Sequence, residues 1–126
     1  MEPILEQIYR VGVIPVIAID DAKKAVPLAR ALVAGGLPAA EVTFRTAAQE
    51  AMEAITAQAP EMLVGAGTVL TCEQVDRALS AGAKFIVSPG FNPDTVRYVQ
   101  SKGALMLPGT ATPGEMEQAM ALGLEA

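Results

Sequence analysis

The sequence predicts an α/β fold of order α-(βα)5 built on a parallel sheet. Two observations carry that prediction. Apolar runs of strand length recur at residues 13–19, 39–44, 62–69, 84–88 and 104–107, their starts roughly 20 to 26 residues apart, a spacing that suits alternating strands and helices. The segments between them bear explicit helix start and stop signals. Strands joined by helical crossovers run parallel, with right-handed connections.

In chain order, residues 3–9 predict a short helix, with Ile4, Leu5, Ile8 and Tyr9 as one apolar stripe. After the run 13–19, a helix is expected over 21–34, where Pro27 requires a kink or a late start. Gly35-Gly36 stops it. Behind the run 39–44, Thr46 and Gln49 have capping-box spacing, in which the hydroxyl takes an orphan N–H and the third helical side chain bonds back. Pro60 ends that helix. Thr71 with Gln74 repeats the box after 62–69, and Gly82 closes the helix. Asn92-Pro93 starts the next helix, with proline at a position where its missing N–H is harmless, and Gly103 stops it. The last helix opens on Thr112-Pro113 with Glu115 and ends at Gly123. Two architectures fit this order: an open doubly wound sheet, or part of a (β/α)8 barrel, which typically needs about 250 residues.

Composition bounds the chemistry. At 126 residues, one domain over 1–126 is expected. The chain is 52% hydrophobic and 18% charged, enough apolar matter for a packed core. The net charge is −5 and the pI about 4.6, which argues against a nucleic-acid partner, since phosphates need a basic face. There is no histidine, so a Ser-His-Asp triad, a Cys-His pair and a His-ligated metal are excluded from these residues. A single cysteine, Cys72, forms no internal disulfide. Residues 1–10 carry Glu2 and Glu6 with no apolar signal core, and no run approaches a membrane span. A cytoplasmic protein is expected.

The second apolar run is the informative one. With period two, Val42 and Phe44 share one face, and Glu41, Thr43 and Arg45 the other. Both faces of a parallel sheet are normally buried and apolar. The polar face is therefore a functional site, a buried Glu–Arg pair satisfying itself, or a strand tip already in solvent. The third run ends Gly65-Ala66-Gly67-Thr68. It is neither a dinucleotide fingerprint, because Leu70 stands where a small residue is required, nor a P-loop. Its glycines permit close approach of a ligand or a neighbouring strand, or serve tight packing alone. Thr68 stands at the carboxyl end, the ligand face of both architectures. Ser88-Pro89-Gly90 and Pro108-Gly109-Thr110 are turn signals first.

The four lysines make poor Schiff-base candidates. Lys23 and Lys24 belong to a first helical turn, Lys102 to a helix end favoured by the dipole, and Lys84 opens a strand at the amino-terminal face. Cys72 is read as a buried or half-buried thiol. Met52, Met62, Met106, Met116 and Met120 are read as core filler.

Five motifs then occur in order: Val13-Ile14-Pro15-Val16-Ile17, Glu41-Val42-Thr43-Phe44-Arg45, Val64-Gly65-Ala66-Gly67-Thr68-Val69, Ile86-Val87-Ser88-Pro89-Gly90, and Pro108-Gly109 with Thr112-Pro113. Together they resemble the bacterial 2-keto-3-deoxy-6-phosphogluconate aldolase / 4-hydroxy-2-oxoglutarate aldolase family. That resemblance implies a (β/α)8 TIM barrel, usually a homotrimer, acting without metal or other cofactor. It implies a class I lyase of carbohydrate metabolism that splits a 4-hydroxy-2-oxo acid into pyruvate and an aldehyde, glyceraldehyde 3-phosphate or glyoxylate. By the same resemblance Glu41 is the general acid/base, its pKa tuned by burial and by Arg45. Arg45 clamps the pyruvate carboxylate, and Thr68 donates a second hydrogen bond to it.

The resemblance also implies a Schiff-base lysine on a sixth strand, in a Lys-Phe-Phe-Pro or Lys-Leu-Phe-Pro motif, and phosphate-holding glycine loops after strands seven and eight. Neither is present in a sequence that closes Gly123-Leu124-Glu125-Ala126. About five-eighths of the barrel is expected, truncated to α-(βα)5 and inactive alone, because without an imine there is no electron sink. The alternatives are a non-catalytic half-barrel that assembles through its edges, or a 2-oxo-acid binding module.

Overall fold

Most helices begin where a side chain or a proline relieves the free N–H groups of a first turn. The computed structural model describes residues 2–45 and 47–126. In order they form α1 (Pro3–Val11), β1 (Val16–Ile17), a 3-10 turn (Ala22–Lys24) running into α2 (Ala25–Ala34), β2 (Ala39–Thr43), α3 (Ala48–Gln58), β3 (Leu63–Gly67), α4 (Cys72–Ser80), β4 (Phe85–Ser88), α5 (Pro93–Ser101), β5 (Leu105–Pro108) and α6 (Pro113–Ala121). Thr71 and Thr112 each close a complete capping box, with Gln74 and Glu115. The Asn92 carboxamide accepts from the N–H groups of Asp94 and Thr95. Pro27 produces the late start and no kink. The Asp21 carboxylate holds the 3-10 turn, α2 begins at Ala25, and Pro27 falls in the first turn, where no intrahelical N–H bond is lost.

The box expected at Thr46 lies outside the described residues. Ala47 occupies the N-cap of α3 with no side-chain cap. Gln49 is engaged elsewhere, donating to Glu53 and accepting from Arg77.

All four strand pairings are parallel, in the order β1-β2-β3-β4-β5. A doubly wound sheet reverses its order at a switch point. Here each strand lies beside its predecessor throughout, so crossovers of one hand place their helices on one face. That removes the open doubly wound alternative. The fold is the α/β class of the (β/α)8 barrel, represented by five strand–helix units.

Period-two alternation sorts the core. Val42, Phe44, Val64, Ala66, Ile86 and Met106 pack toward the helices. Ala39, Leu63 and Phe85 face the other way, where Ile4, Ile8 and Val11 of α1 cover them. Leu5 is buried and Tyr9 is 76% exposed, so the apolar stripe of α1 comprises Ile4, Leu5, Ile8 and Val11 and excludes the tyrosine. Met52, Met62 and Met106 are core, whereas Met116 and Met120 stand exposed on α6, correcting the assignment of all five to the interior. The run 13–19 yields a strand of two residues. It is an edge strand bonded to β2 alone, and Pro15, lacking an N–H, contributes its carbonyl to Glu41 (2.9 Å) and no donor.

Candidate active site

Glu41 sits in the middle of β2, in register with Gly65 of β3, and Thr43 is in register with Gly67. Neighbouring Val42 is fully buried among the helices, so alternation sends the Glu41 and Thr43 side chains to the opposite face. Glu41 is half-buried there, and Thr43 is buried. Burial alone pushes the Glu41 carboxyl above its ordinary value, because a low-dielectric surrounding disfavours the charged form. A carboxyl raised toward neutrality suits proton transfer in both directions.

The glycines of β3 have a definite use. A Cβ on Gly67 would overlap the Glu41 carboxylate, and one on Gly65 would overlap the Phe85 ring. What approaches these glycines is thus the side chains of both flanking strands. Backbone approach occurs at Gly109 instead, whose N–H donates to the Ser88 carbonyl (2.8 Å) and whose Cβ would overlap the Pro89 carbonyl.

Thr68 follows β3 with φ of 57°, the one non-glycine positive φ among the described residues. The left-handed region costs an L-residue roughly 1–2 kcal/mol, and for a β-branched residue it is an outlier of the kind found at functional sites. Thr68 is exposed, at the carboxyl end of the sheet. Arg45, one residue beyond Phe44, is exposed at the same end of the adjacent strand. A tight turn holds its backbone, the N–H donating to the Thr43 carbonyl (2.8 Å) and the carbonyl accepting from Ala48 (3.1 Å). No ion pair links Arg45 to Glu41 among the described residues. The self-satisfied buried pair is therefore excluded, and the cause that raises the Glu41 carboxyl is burial and not Arg45. The buried Ser88 hydroxyl donates to the Gly90 carbonyl (2.8 Å) and serves its turn. Beside it a cleft of about 220 Å³ opens between Val69, Leu70, Phe91 and Thr95.

Lys84 and Lys102 lie at the opposite end of the sheet, whereas Lys23 and Lys24 follow β1 at its carboxyl end. Lys24 pairs with Asp20 at 3.1 Å. Lys102 pairs with Asp76 at 3.0 Å and lies over the Tyr98 ring. Lys23 is exposed in the 3-10 turn. Lys84 is exposed at the amino end of β4, in a groove with Ile4, Gln7 and Glu61. Cys72 is exposed at the start of α4, against the expectation of burial, because the first helical turn there stands clear of the sheet. Among the described residues no group of three His, Cys, Asp or Glu side chains is placed to hold a metal ion, and no helix is long and apolar enough to cross a membrane.

Sequence reasoning brought Glu41, Arg45 and Thr68 to one end of two neighbouring strands. It missed what Gly67 and Phe85 contribute, because that depends on strand register. Comparison with known proteins identifies the family. The family model for KDPG and KHG aldolases matches residues 4–126. The 2-dehydro-3-deoxy-phosphogluconate aldolase of Treponema pallidum is 49% identical over 98% of this chain and 60% of its own length. The crystal structure of the 2-keto-3-deoxy-6-phosphogluconate aldolase of Zymomonas mobilis ZM4 with 3-phosphoglycerate superposes with a TM-score of 0.90 at 42% identity, covering 99% of this chain and 60% of that one. The KDPG aldolase of Legionella pneumophila, with pyruvate captured as a covalent carbinolamine intermediate, gives 0.83 at 40% identity, covering 87% and 54%. The chain thus spans about 60% of the length of the first two of these relatives.

Proposed function

The chain belongs to the KDPG and KHG aldolase family, and on that premise we propose that Glu41, Arg45 and Thr68 form the proton-transfer and carboxylate-binding part of a class I aldolase site. The observation that carries this reading is the half-buried Glu41, held up in pKa by burial on the face away from the helices. The substrate is a 4-hydroxy-2-oxo acid, 2-keto-3-deoxy-6-phosphogluconate or 4-hydroxy-2-oxoglutarate. Its C3–C4 bond breaks, the electron pair passing into an imine at C2, while the C4 hydroxyl loses its proton and becomes the aldehyde carbonyl. C3 then takes up a proton, giving pyruvate after hydrolysis. Glu41 moves those protons, a task favoured by a carboxyl that burial holds above its ordinary value. The Arg45 guanidinium forks onto the pyruvate carboxylate, and Thr68 adds a hydroxyl donor.

The amine that forms the imine is proposed to lie outside these 126 residues, because all four lysines are exposed, whereas a Schiff-base amine must be desolvated beside the reacting carbon. The five units are proposed as one domain over 1–126, acting alone as a 2-oxo-acid binder without turnover. A homo-oligomer is proposed by family analogy. Exposed Val13 and Val16 near β1, and Met116 and Met120 on α6, give it apolar surface at both sheet edges.

The test is borohydride trapping with pyruvate, read by intact mass, together with calorimetry on the parent and Arg45→Ala. No covalent adduct, and pyruvate binding weakened about tenfold or more by loss of a charge-assisted bond, are the expected results. A pyruvyl adduct would place the amine within this chain. Undiminished binding by Arg45→Ala would remove the carboxylate clamp.

A further inference from the structure

Glu41 starts level with Gly65, yet its carboxylate lies over Gly67. Two residues of strand advance the chain by roughly 6.6 Å, so the side chain leans along the sheet toward the carboxyl end, where Arg45 and Thr68 stand. Two neighbours account for the direction. Phe85 is also in register with Gly65, and its fully buried ring fills the space where a Gly65 Cβ would be. The position directly beside Glu41 is therefore taken. Gly67, the next residue of β3 on the same face, has no side chain, and its space receives the carboxylate. Gly67 is not in the left-handed region, so its backbone would accept alanine. The space above it, and not its conformation, requires glycine.

We propose that Gly67 is a positioning residue whose missing side chain forms the seat of the Glu41 carboxylate, and that Phe85, by filling the space over Gly65, directs Glu41 into that seat. The assignment rests on the reading of Glu41 as the acid/base, and it adds what holds that carboxyl half-buried at the reacting end. Gly67→Ala places a methyl group on the carboxylate. The far end of a glutamate is free to move, so the variant is expected to fold with its carboxyl pushed out toward water. Burial is what raises the Glu41 titration, and a displaced carboxyl loses that environment.

The experiment is a carbon-13 NMR titration of Glu41 in the full chain, in the parent and in Gly67→Ala, with the resonance assigned by its loss in Glu41→Gln. The expected result is a titration midpoint that falls toward the ordinary glutamate value in Gly67→Ala. A general loosening of the fold is separated from this effect by circular dichroism. An unchanged or higher midpoint in the folded variant would overturn the proposal. Should Gly67→Ala not fold, Glu41→Ala/Gly67→Ala decides. Recovery of folding there identifies the Glu41 side chain as what the methyl meets, and failure to fold overturns the seat. No substrate enters this test, so the seat and the acid/base role stand or fall separately. A Glu41 that titrates as expected, in a chain that shows no pyruvate binding at all, would keep the seat and sink the reading of this end as an aldolase site.

Discussion

Truncating Phe85 shows how tightly the inward glycines of β3 are tied to the side chains over them. The ring is fully buried and fills the space over Gly65. Phe85→Ala leaves a cavity between strands that are held by their ladders, and a loss of about 3–5 kcal/mol is expected. For a chain of this size, at about 3–5 °C per kcal/mol, that lowers Tm by roughly 9–25 °C. Gly65→Ala alone drives a methyl group into an immobile ring, an overpacking that costs about 1–3 kcal/mol. In the Phe85→Ala background the same methyl enters vacated space. It then contributes about 0.8 kcal/mol of burial, and about 0.5–1 kcal/mol from reduced freedom of the unfolded chain. The substitution thus changes sign between backgrounds, with a coupling of about 2–5 kcal/mol. Urea unfolding of the four proteins, followed by circular dichroism, measures it. Gly65→Ala acting with one sign in both backgrounds would refute the argument that the ring is why position 65 lacks a side chain.

Two further outcomes follow from the same geometry. A carboxyl whose folded pKa is raised binds its proton more tightly in the fold. The stability it contributes is complete below the ordinary glutamate value of about 4.3 and is lost as pH rises through the raised folded value. Glu41→Gln is therefore expected to be more stable than the parent at pH 7, by a margin that shrinks as pH falls toward 4, measured by thermal unfolding at several pH values; a margin independent of pH contradicts it. Thr71→Ala breaks the capping box of α4 and is expected to cost about 1 kcal/mol, whereas Thr71→Ser keeps the hydroxyl and should stay within a few tenths. Equal losses in chemical denaturation would deny the cap its role.

Local chemistry made the elements legible. Thr71 with Gln74, Asn92-Pro93 and Thr112 with Glu115 each mark a helix start that the structure places as read. Period two split Glu41 and Thr43 from Val42 and Phe44, because strand alternation is a local property. Orientation against the rest of the molecule was not legible. Tyr9, Met116 and Met120 are apolar at helical spacing but exposed, the two methionines beside Pro108 at the end of β5, and spacing alone does not say which flank of an apolar stripe the core touches. The seat over Gly67 needs the β2–β3 register, and the left-handed Thr68 has no signal in its own sequence. The exclusion of a Glu41–Arg45 pair likewise depends on where the Arg45 side chain points, two residues after β2 has ended.

Because every strand bonds to the strand next to it in sequence, the sheet behaves energetically like a short linear array. Each unit is held by its two neighbours, and stability sums over units and their junctions. The ends of such an array open first. Amide exchange should then be graded across the sheet, slowest in β3, which is bonded on both sides, and fastest in the two-residue β1. Loosening would reach β3, which bears Gly67, last, and β2, which bears Glu41, once β1 has opened, whereas surface segments such as α6 would open without disturbing the register that sets the carboxylate in place.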